Sequence, residues 1–567
     1  MLRTISRRFL ALTWSLAFCG LLGCASAPAS EPAPAAVPTQ EKVPDATPAE
    51  PAASATEPEI EASTAADPAE EYPLTSESGQ AYRLEKLEKA KFPFRRISDT
   101  QVRTAFGFTI EVDREDDQYF YYRVYNVPPA DKAPATERAS LEERAEKIRA
   151  ALPAPLAAVD HLAGSDFGRG LPAQGQWRNS FEFADMNEDG LLDLVHGPAR
   201  KGATRPQIFL GDGKGGWRAW REATYPAALY DYGDVSVADF DRDGHLDMAL
   251  AVHLHGLKVL LGNGKGTFVE AGDGLPWRAR AADPMGFSSR QVQALDWDSD
   301  GRPEIVAYGE GPRMAGGGDR NALDKPADGV QVFRSRPSKS SRLTWELANP
   351  NDNVGQMFGE DLQLVPGAKT SFVLGSGYMD APLLLFEGRD ADGWKRDALP
   401  LPAQTYVWSA APLRSRERGV LEIVGVGMSF DAGLKLRFVD LYRRDKAGWS
   451  RRSIWAEDKK NRGPVRVAAG DLDGNGLDDL VVLGAEGDVW LLMRLGPDSW
   501  ELEQSPEMQG PAGCTGYGLR IQDLDSDGRP EVAMSFAGEP NALYDPMACS
   551  ENGALRVWKL SKKDSGH

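Results

Sequence analysis

The chain has 567 residues, a formal net charge of −19, 41% hydrophobic residues, 58 glycines and 39 prolines. Glycine and proline on that scale favour many short strands and turns over long helices. Acidity without a basic patch argues against a nucleic-acid partner.

Residues 1–23 read as a signal peptide. Arg3, Arg7 and Arg8 precede an apolar run from Phe9 to Leu22 that is too short for a comfortable membrane span. Leu21-Leu22-Gly23-Cys24 resembles the bacterial lipobox. The resemblance implies cleavage before Cys24 and a diacylglycerol on its thiol. Ser26 in place of an aspartate then implies sorting to the bacterial outer membrane, either periplasmic or surface-exposed. Residues 24–73 are built from Ala, Pro, Glu, Ser and Thr, with ten acids against one lysine. So few apolar groups cannot offset the entropy of ordering the segment, which reads as a disordered tether. At roughly 3.1 Å per residue in extended stretches it reaches on the order of 100 Å.

Residues 74–176 read as a small α+β module. Phe106, Phe108, Ile110 and Val112 share one face, and Tyr119 to Tyr125 alternate in a second run. Arg114 to Asp117 makes the hairpin turn between them. The helix that follows is expected to open on a capping box, Ser140 with Glu143. It carries the stripe Leu141, Ala145, Ile148 and Leu152, and Pro153 stops it.

From there one nine-residue pattern organises the chain, with acidic or amide side chains at positions 1, 3, 5 and 9 and glycine at 6. Its five copies are Asp185, Asn187, Asp189 and Asp193; Asp239, Asp241, Asp243 and Asp247; Asp296, Asp298, Asp300 and Glu304; Asp471, Asp473, Asn475 and Asp479; and Asp523, Asp525, Asp527 and Glu531. An alternating strand precedes each copy and an apolar strand follows, so each loop joins two adjacent strands. A third strand comes next, then a glycine-rich turn, then a fourth strand opening on an aromatic residue such as Trp217, Phe268, Trp345, Trp394, Trp449 or Trp500. The gap between the third and fourth copies hides two silent repeats. One loop is placed at 414, with Arg414, Arg416 and Arg418 where acids would stand, and one at 362, with Leu362, Leu364 and Pro366. Seven four-stranded units make an all-β fold, a seven-bladed β-propeller over 177–561, with 562–567 as a tail. The last unit shows only three strands, so one from within 155–180 is expected to complete it.

The repeats resemble the FG-GAP or VCBS family of calcium-binding propellers, known from integrin α-chains and bacterial surface proteins. The resemblance covers roughly 177–561. It implies calcium in the loop between the first and second strands of a blade, on the lower face, with ligands met by the opposite face. Phe358-Gly359 is present, but the family's Gly-Ala-Pro is not, so integrin-like recognition is not carried over. The residues support the ion independently. Calcium takes six to eight oxygens, and carboxylates spaced by two in a tight loop turn inward together. No glutamate at position 12 and no flanking helices exclude an EF-hand. Five structural calcium ions are expected, with two empty loops.

Gly211-x-Gly213-x-x-Gly216 matches a dinucleotide string but recurs as Gly262-Asn-Gly264-Lys-Gly266 between strands, so it is a turn. No nucleophile elbow, phosphate loop or zinc motif appears. Tyr230, Tyr232, Phe287, Phe358, Tyr378, Phe430, Tyr517 and Tyr544 fall in connections on the face opposite the acidic loops. They are the candidates for an aromatic recognition surface or for filling the central channel. Cys514 and Cys549 on the same face are expected to form a disulfide. The expected function is a lipid-anchored binding or adhesion module for an envelope or extracellular protein or glycan. The alternatives are an outer-membrane or periplasmic assembly scaffold and a polysaccharide-active enzyme.

Overall fold

The computed structural model describes residues 74–75, 81–89, 94–96, 98–104, 109–124, 135–200, 205–253, 255–277, 287, 289–309, 330–339, 342–348, 359–365, 372–377, 383–389, 393–401, 405–458, 463–504, 507–538, 549 and 553–563. Among them seven antiparallel sheets follow one another along the chain, each built on four strands in hydrogen-bonded order. Their first strands are Phe181–Ala184, Val235–Ala238, Ser289–Leu295, Gly359–Leu364, Thr405–Leu413, Pro464–Gly470 and Thr515–Gln522. Each first strand touches the next in that order, and Thr515–Gln522 touches Phe181–Ala184.

The second strand of the second sheet, Asp247–Val252, shows why these segments become strands. Met248, Leu250 and Val252 pack into a core shared with the first sheet. Ala249 and Ala251 pack into one shared with the third. A strand apolar on both faces is what a position between two sheets demands. One such core lies between every pair of successive sheets, and the last joins the seventh sheet to the first. There Leu524, Ala533 and Val557 meet Phe181, Leu194 and Phe209. Each fully buried Val, Leu or Phe contributes about 1.5–3 kcal/mol against exposure. The arrangement is propeller-like.

Three further devices hold the sheets. Glu182 accepts from the backbone N–H of Val237 at 2.7 Å, Ser236 Oγ from Ala294 at 2.9 Å and Ser409 Oγ from Val467 at 3.2 Å, so side chains stitch neighbouring first strands. At the rim, Trp217 Nε1 donates to Phe167 O and Trp345 Nε1 to Ala271 O, both at 2.8 Å, each reaching the neighbouring sheet. The third device is the expected fourth strand of the last sheet. Leu162–Asp166 pairs antiparallel with Leu555–Lys562, from Leu162↔Lys562 to Asp166↔Trp558. Ala157–Val159 adds a parallel fifth strand to the sixth sheet. The sheets therefore recruit chain from Ala157 onward, ahead of the boundary expected at 177.

The N-terminal module is a six-stranded sheet. Its hairpin joins Thr109–Glu115 to Tyr119–Val124 around Asp116, whose carboxylate accepts from Gln118 N at 2.8 Å and Tyr119 N at 2.7 Å. Phe106, Phe108 and Tyr125 lie outside the described residues. The helix spans Ala135–Ala150, so Ser140 and Glu143 are interior and form no capping box. Part of its stripe covers a sheet outside the module. Ala145 and Ile148 pack on Ala432, Leu434 and Leu436 of the fifth sheet. Arg144 and Arg149 pair with Asp431 and Asp458, at 2.9 and 3.0 Å. In the fourth sheet, Leu362 and Leu364 belong to the strand Gly359–Leu364, where Leu364 pairs with Val373. The silent loop expected at 362 therefore falls after Leu364, and Pro366 lies outside the described residues.

Candidate metal sites

Each of the five acidic stretches joins the first and second strands of its sheet. In all five the residue before position 1 pairs with position 9: Ala184↔Asp193, Ala238↔Asp247, Leu295↔Glu304, Gly470↔Asp479 and Gln522↔Glu531. A repeated hydrogen-bond circuit shapes the loop. Position 1 accepts from the backbone of position 6, as Gly244 N to Asp239 Oδ2 at 3.0 Å. Position 3 accepts from position 5, as Asp243 N to Asp241 Oδ1 at 3.2 Å. Position 5 accepts from position 7, as His245 N to Asp243 Oδ1 at 2.9 Å. These Asx-type turns bend the chain inward. Glycine at position 6 has φ between 79° and 92° in the five loops. Position 4 is also left-handed, at Glu188, Arg242, Ser299, Gly474 and Ser526, with φ from 59° to 77°. Sequence reading missed this second reversal, because position 4 is glycine only once.

Carboxylate oxygens of Asp239, Asp241 and Asp247 lie within 4.8 Å of one another, as do those of Asp471, Asp473 and Asp479. So do those of Asp296, Asp298 and Asp300, and of Asp523, Asp525 and Asp527. Like charges held that close repel unless a cation joins them. These clusters could hold a metal ion, and hard oxygen donors suit calcium. In the first loop Asn187 Nδ2 donates to Asp189 Oδ2 at 2.9 Å.

Position 9 differs from the other three. Asp193, Asp247, Glu304, Asp479 and Glu531 are fully buried. Asp247 accepts from Phe240 N and Gly262 N, both at 2.8 Å, which ties the loop to the third strand of the sheet. Burial pushes Asp193, Asp247, Asp479 and Glu304 up to about 7, against partial relief from those backbone N–H groups. The side chain expected only as a ligand therefore also anchors the backbone. No sequence signal separates these two jobs.

The FG-GAP-like repeat model matches residues 185–250, 240–307 and 471–534. The chain carries FG-GAP-like repeats. The matched stretches contain all five acidic loops whole. No curated protein matches the sequence. Among solved structures, the chain is similar to "BBS1N in complex with ARL6DN, soaked with mercury" at 10% identity and TM-score 0.35, over 70% of this chain and 95% of that one. It is also similar to AofleA from Arthrobotrys oligospora at 12% identity and TM-score 0.34, over 60% and 89%. Likenesses of that size carry no argument about this chain.

On the opposite side the aromatic candidates are not an open surface. Tyr230, Tyr232, Phe287 and Tyr517 are buried. Tyr232 meets His253 at a tilt, with ring centroids 4.4 Å apart, and Arg178 lies over Tyr232 at 5.3 Å and Tyr517 at 4.9 Å. Phe287 packs on Phe333 at 6.0 Å, and half-buried Phe430 meets Tyr406 edge-on at 5.8 Å. These rings fill the interior instead of presenting themselves, because each has a cation or another ring to cover it. Phe358, Tyr378 and Tyr544 lie outside the described residues. Cys514 and Cys549 are bridged and buried in the core between the sixth and seventh sheets.

Proposed function

We propose that the chain is a calcium-stabilised seven-bladed propeller that serves as a binding module for an envelope or extracellular protein or glycan, anchored in the bacterial outer membrane by lipid on Cys24. The observation that carries the fold is the core joining the seventh sheet to the first. With it each of the seven sheets shares a core with two neighbours. The calcium assignment rests on the clustered carboxylates of four acidic loops, drawn from positions 1, 3 and 9 in two of them and from positions 1, 3 and 5 in the other two. The binding role rests on the FG-GAP-like repeats and on what the sheets are used for. Their acidic loops repeat one another and serve the fold, while the connections at the other end differ from sheet to sheet, as recognition demands.

Three kinds of measurement test the reading on the full chain: the N-terminal modification, the capture of targets, and the melting temperature in calcium and in EDTA. Intact mass and detergent-phase partitioning are expected to show a diacylated N-terminal Cys24, lost in Cys24→Ala. A glycan array and binding to isolated outer-membrane fragments, each in calcium and in EDTA, are expected to show calcium-dependent capture. A melting temperature indifferent to EDTA would refute the calcium assignment. Absence of binding to both targets in calcium would refute the binding role.

A further inference from the structure

The third strand of each sheet puts one residue directly across from position 9 of the acidic loop, and the identity of that residue divides the loops. Opposite the three aspartates stand Leu210, Leu261 and Met493, neighbours in the register of Phe209, Leu260 and Leu492. Opposite the two glutamates stand basic residues. Ile305↔Phe333 puts Arg334 across from Glu304, and Val532↔Trp558 puts Lys559 across from Glu531.

The chemistry follows the pairing. In the aspartate loops both oxygens of position 9 take backbone N–H groups: Met186 and Gly211 for Asp193, Phe240 and Gly262 for Asp247, Leu472 and Arg494 for Asp479. In the glutamate loops one oxygen takes the position 2 N–H, from Trp297 or Leu524, both at 2.7 Å. The longer side chain leaves the other oxygen facing the cation. Lys559 Nζ is 3.3 Å from Glu531 and 2.7 Å from Asp527, and it also pairs with Asp525. Arg334 reaches Asp298 at 2.5 Å and Glu304 at 3.7 Å. Positions 3 and 5 are where a cation's oxygens would come from, so these side chains stand in the cation's own ground. Among the described residues no basic side chain of the same sheet sits on the position 3 and 5 carboxylates of an aspartate loop, and Arg416 of the neighbouring sheet reaches only the backbone carbonyls of Asn475 and Gly476. At the carboxylates themselves, Arg342 comes to 4.0 Å of Asp241, from an exposed side chain.

The silent loop of the fifth sheet extends the series. Its position 9 is Glu422, Arg443 is the register partner across from it, and arginines replace the acids at 414, 416 and 418. Arg443 lies 3.8 Å from Glu422 and Arg494 of the next sheet 3.1 Å, so the position 9 acid keeps cation partners in a loop without acids at positions 1, 3 and 5.

We propose that the five acidic loops form two classes. Those ending in Asp193, Asp247 and Asp479 take a divalent cation, whereas Lys559 and Arg334 are built-in counter-ions that fill the loops ending in Glu531 and Glu304. The proposal rests on reading the aspartate loops as calcium sites. It goes beyond that reading by reducing five ions to three.

Equilibrium dialysis of the EDTA-stripped full chain against radioactive calcium tests it. The unmodified chain is expected to saturate at three ions, Lys559→Met at four, Arg334→Met at four and the double variant at five. Lys559→Arg, which keeps the charge, is expected to stay at three. Without calcium Lys559→Met is expected to melt lower than the unmodified chain, with calcium restoring it. Five equivalent ions in the unmodified chain would overturn the division while leaving the calcium reading intact. So would a folded Lys559→Met that still binds three. No uptake at all would overturn the calcium reading itself, and the division with it. Should Lys559→Met fail to fold, the count for the unmodified chain decides alone.

Discussion

The loop Asp471–Asp479 and its neighbour Arg414–Glu422 are the same hairpin held in two ways. Gly470 pairs with Asp479 across nine residues, and Leu413 pairs with Glu422 across nine. Glycine stands at position 6 in both, with φ of 79° at Gly476 and 84° at Gly419. One loop carries side-chain oxygens at positions 1, 3 and 5, the other guanidinium groups. The backbone is therefore specified by register, glycine and a buried acid at position 9. It does not need the inward-facing carboxylates. Those carboxylates are a charge problem that the hairpin could have avoided, as the arginine loop does, and one that a bound cation would relieve. The two loops also touch: Arg416 donates to Asn475 O at 2.7 Å and Gly476 O at 3.1 Å, and Arg414 forks onto Asp478. The arginine loop thus braces the acidic one.

The widest separation between the two kinds of loop is expected in pH dependence without metal. Burial, with added repulsion from Asp185 and Asp189 around Asp193 and from Asp239 and Asp241 around Asp247, raises the position 9 aspartates from 3.8 to about 7. Between those values the folded chain binds more protons than the unfolded one. Stability therefore falls as pH rises from about 4 to about 7 and is flat above. Thermal melts of the EDTA-stripped chain are expected to show that fall, and calcium to flatten it, since a bound cation favours the ionised form. An EDTA-stripped chain whose melting temperature rises across this range would contradict the assignment.

Next in size is the acid of the silent loop. Glu422 forks onto Arg494, whose Nη1 and Nη2 both lie 3.1 Å from its oxygens, and both side chains are almost wholly buried. Glu422→Ala strands the guanidinium, which costs about 3–5 kcal/mol for a buried pair broken on one side. Urea denaturation is expected to register that loss equally in calcium and in EDTA. A loss confined to calcium would mean that the silent loop also holds an ion.

How much of this could be read from the residues depends on whether a residue's job is local. The acidic spacing, Gly190 or Gly244, and the strand alternation around them are local, and they placed the loops, the repeat length and the silent loop at 414. The strand Leu162–Asp166 could be foreseen because a ring has to close. Lys559 and Arg334 could not, since nothing in Trp558-Lys559-Leu560 points to a loop some 30 residues earlier until register sets Lys559 across from Glu531. Leu362 misled because an apolar residue fits a buried strand as well as a degenerate loop, and only its pairing with Gly375 tells them apart. The tyrosines left two readings open for a related reason. A ring in a connection reads as exposed until Arg178 or His253 is seen covering it.

The smallest effect sharpens the comparison most. Asp473, at position 3, accepts from Asn475 N at 2.9 Å and belongs to the carboxylate cluster without anchoring a second strand. Asp473→Asn keeps an acceptor for that N–H and removes one charge of three from the cluster. In EDTA its stability is expected to stay within about 0.5 kcal/mol of the unmodified chain, as for a surface substitution. In calcium it is expected to lose that loop's share of ligand stabilisation, which at ten times Kd is about 1.4 kcal/mol. Asp479→Asn at position 9 is the matched control. It leaves a side-chain N–H₂ facing one of two buried backbone donors, Leu472 N or Arg494 N, and is expected to destabilise the chain with or without calcium. If the two substitutions behaved alike, the division between an acid that binds the ion and an acid that holds the hairpin would fail.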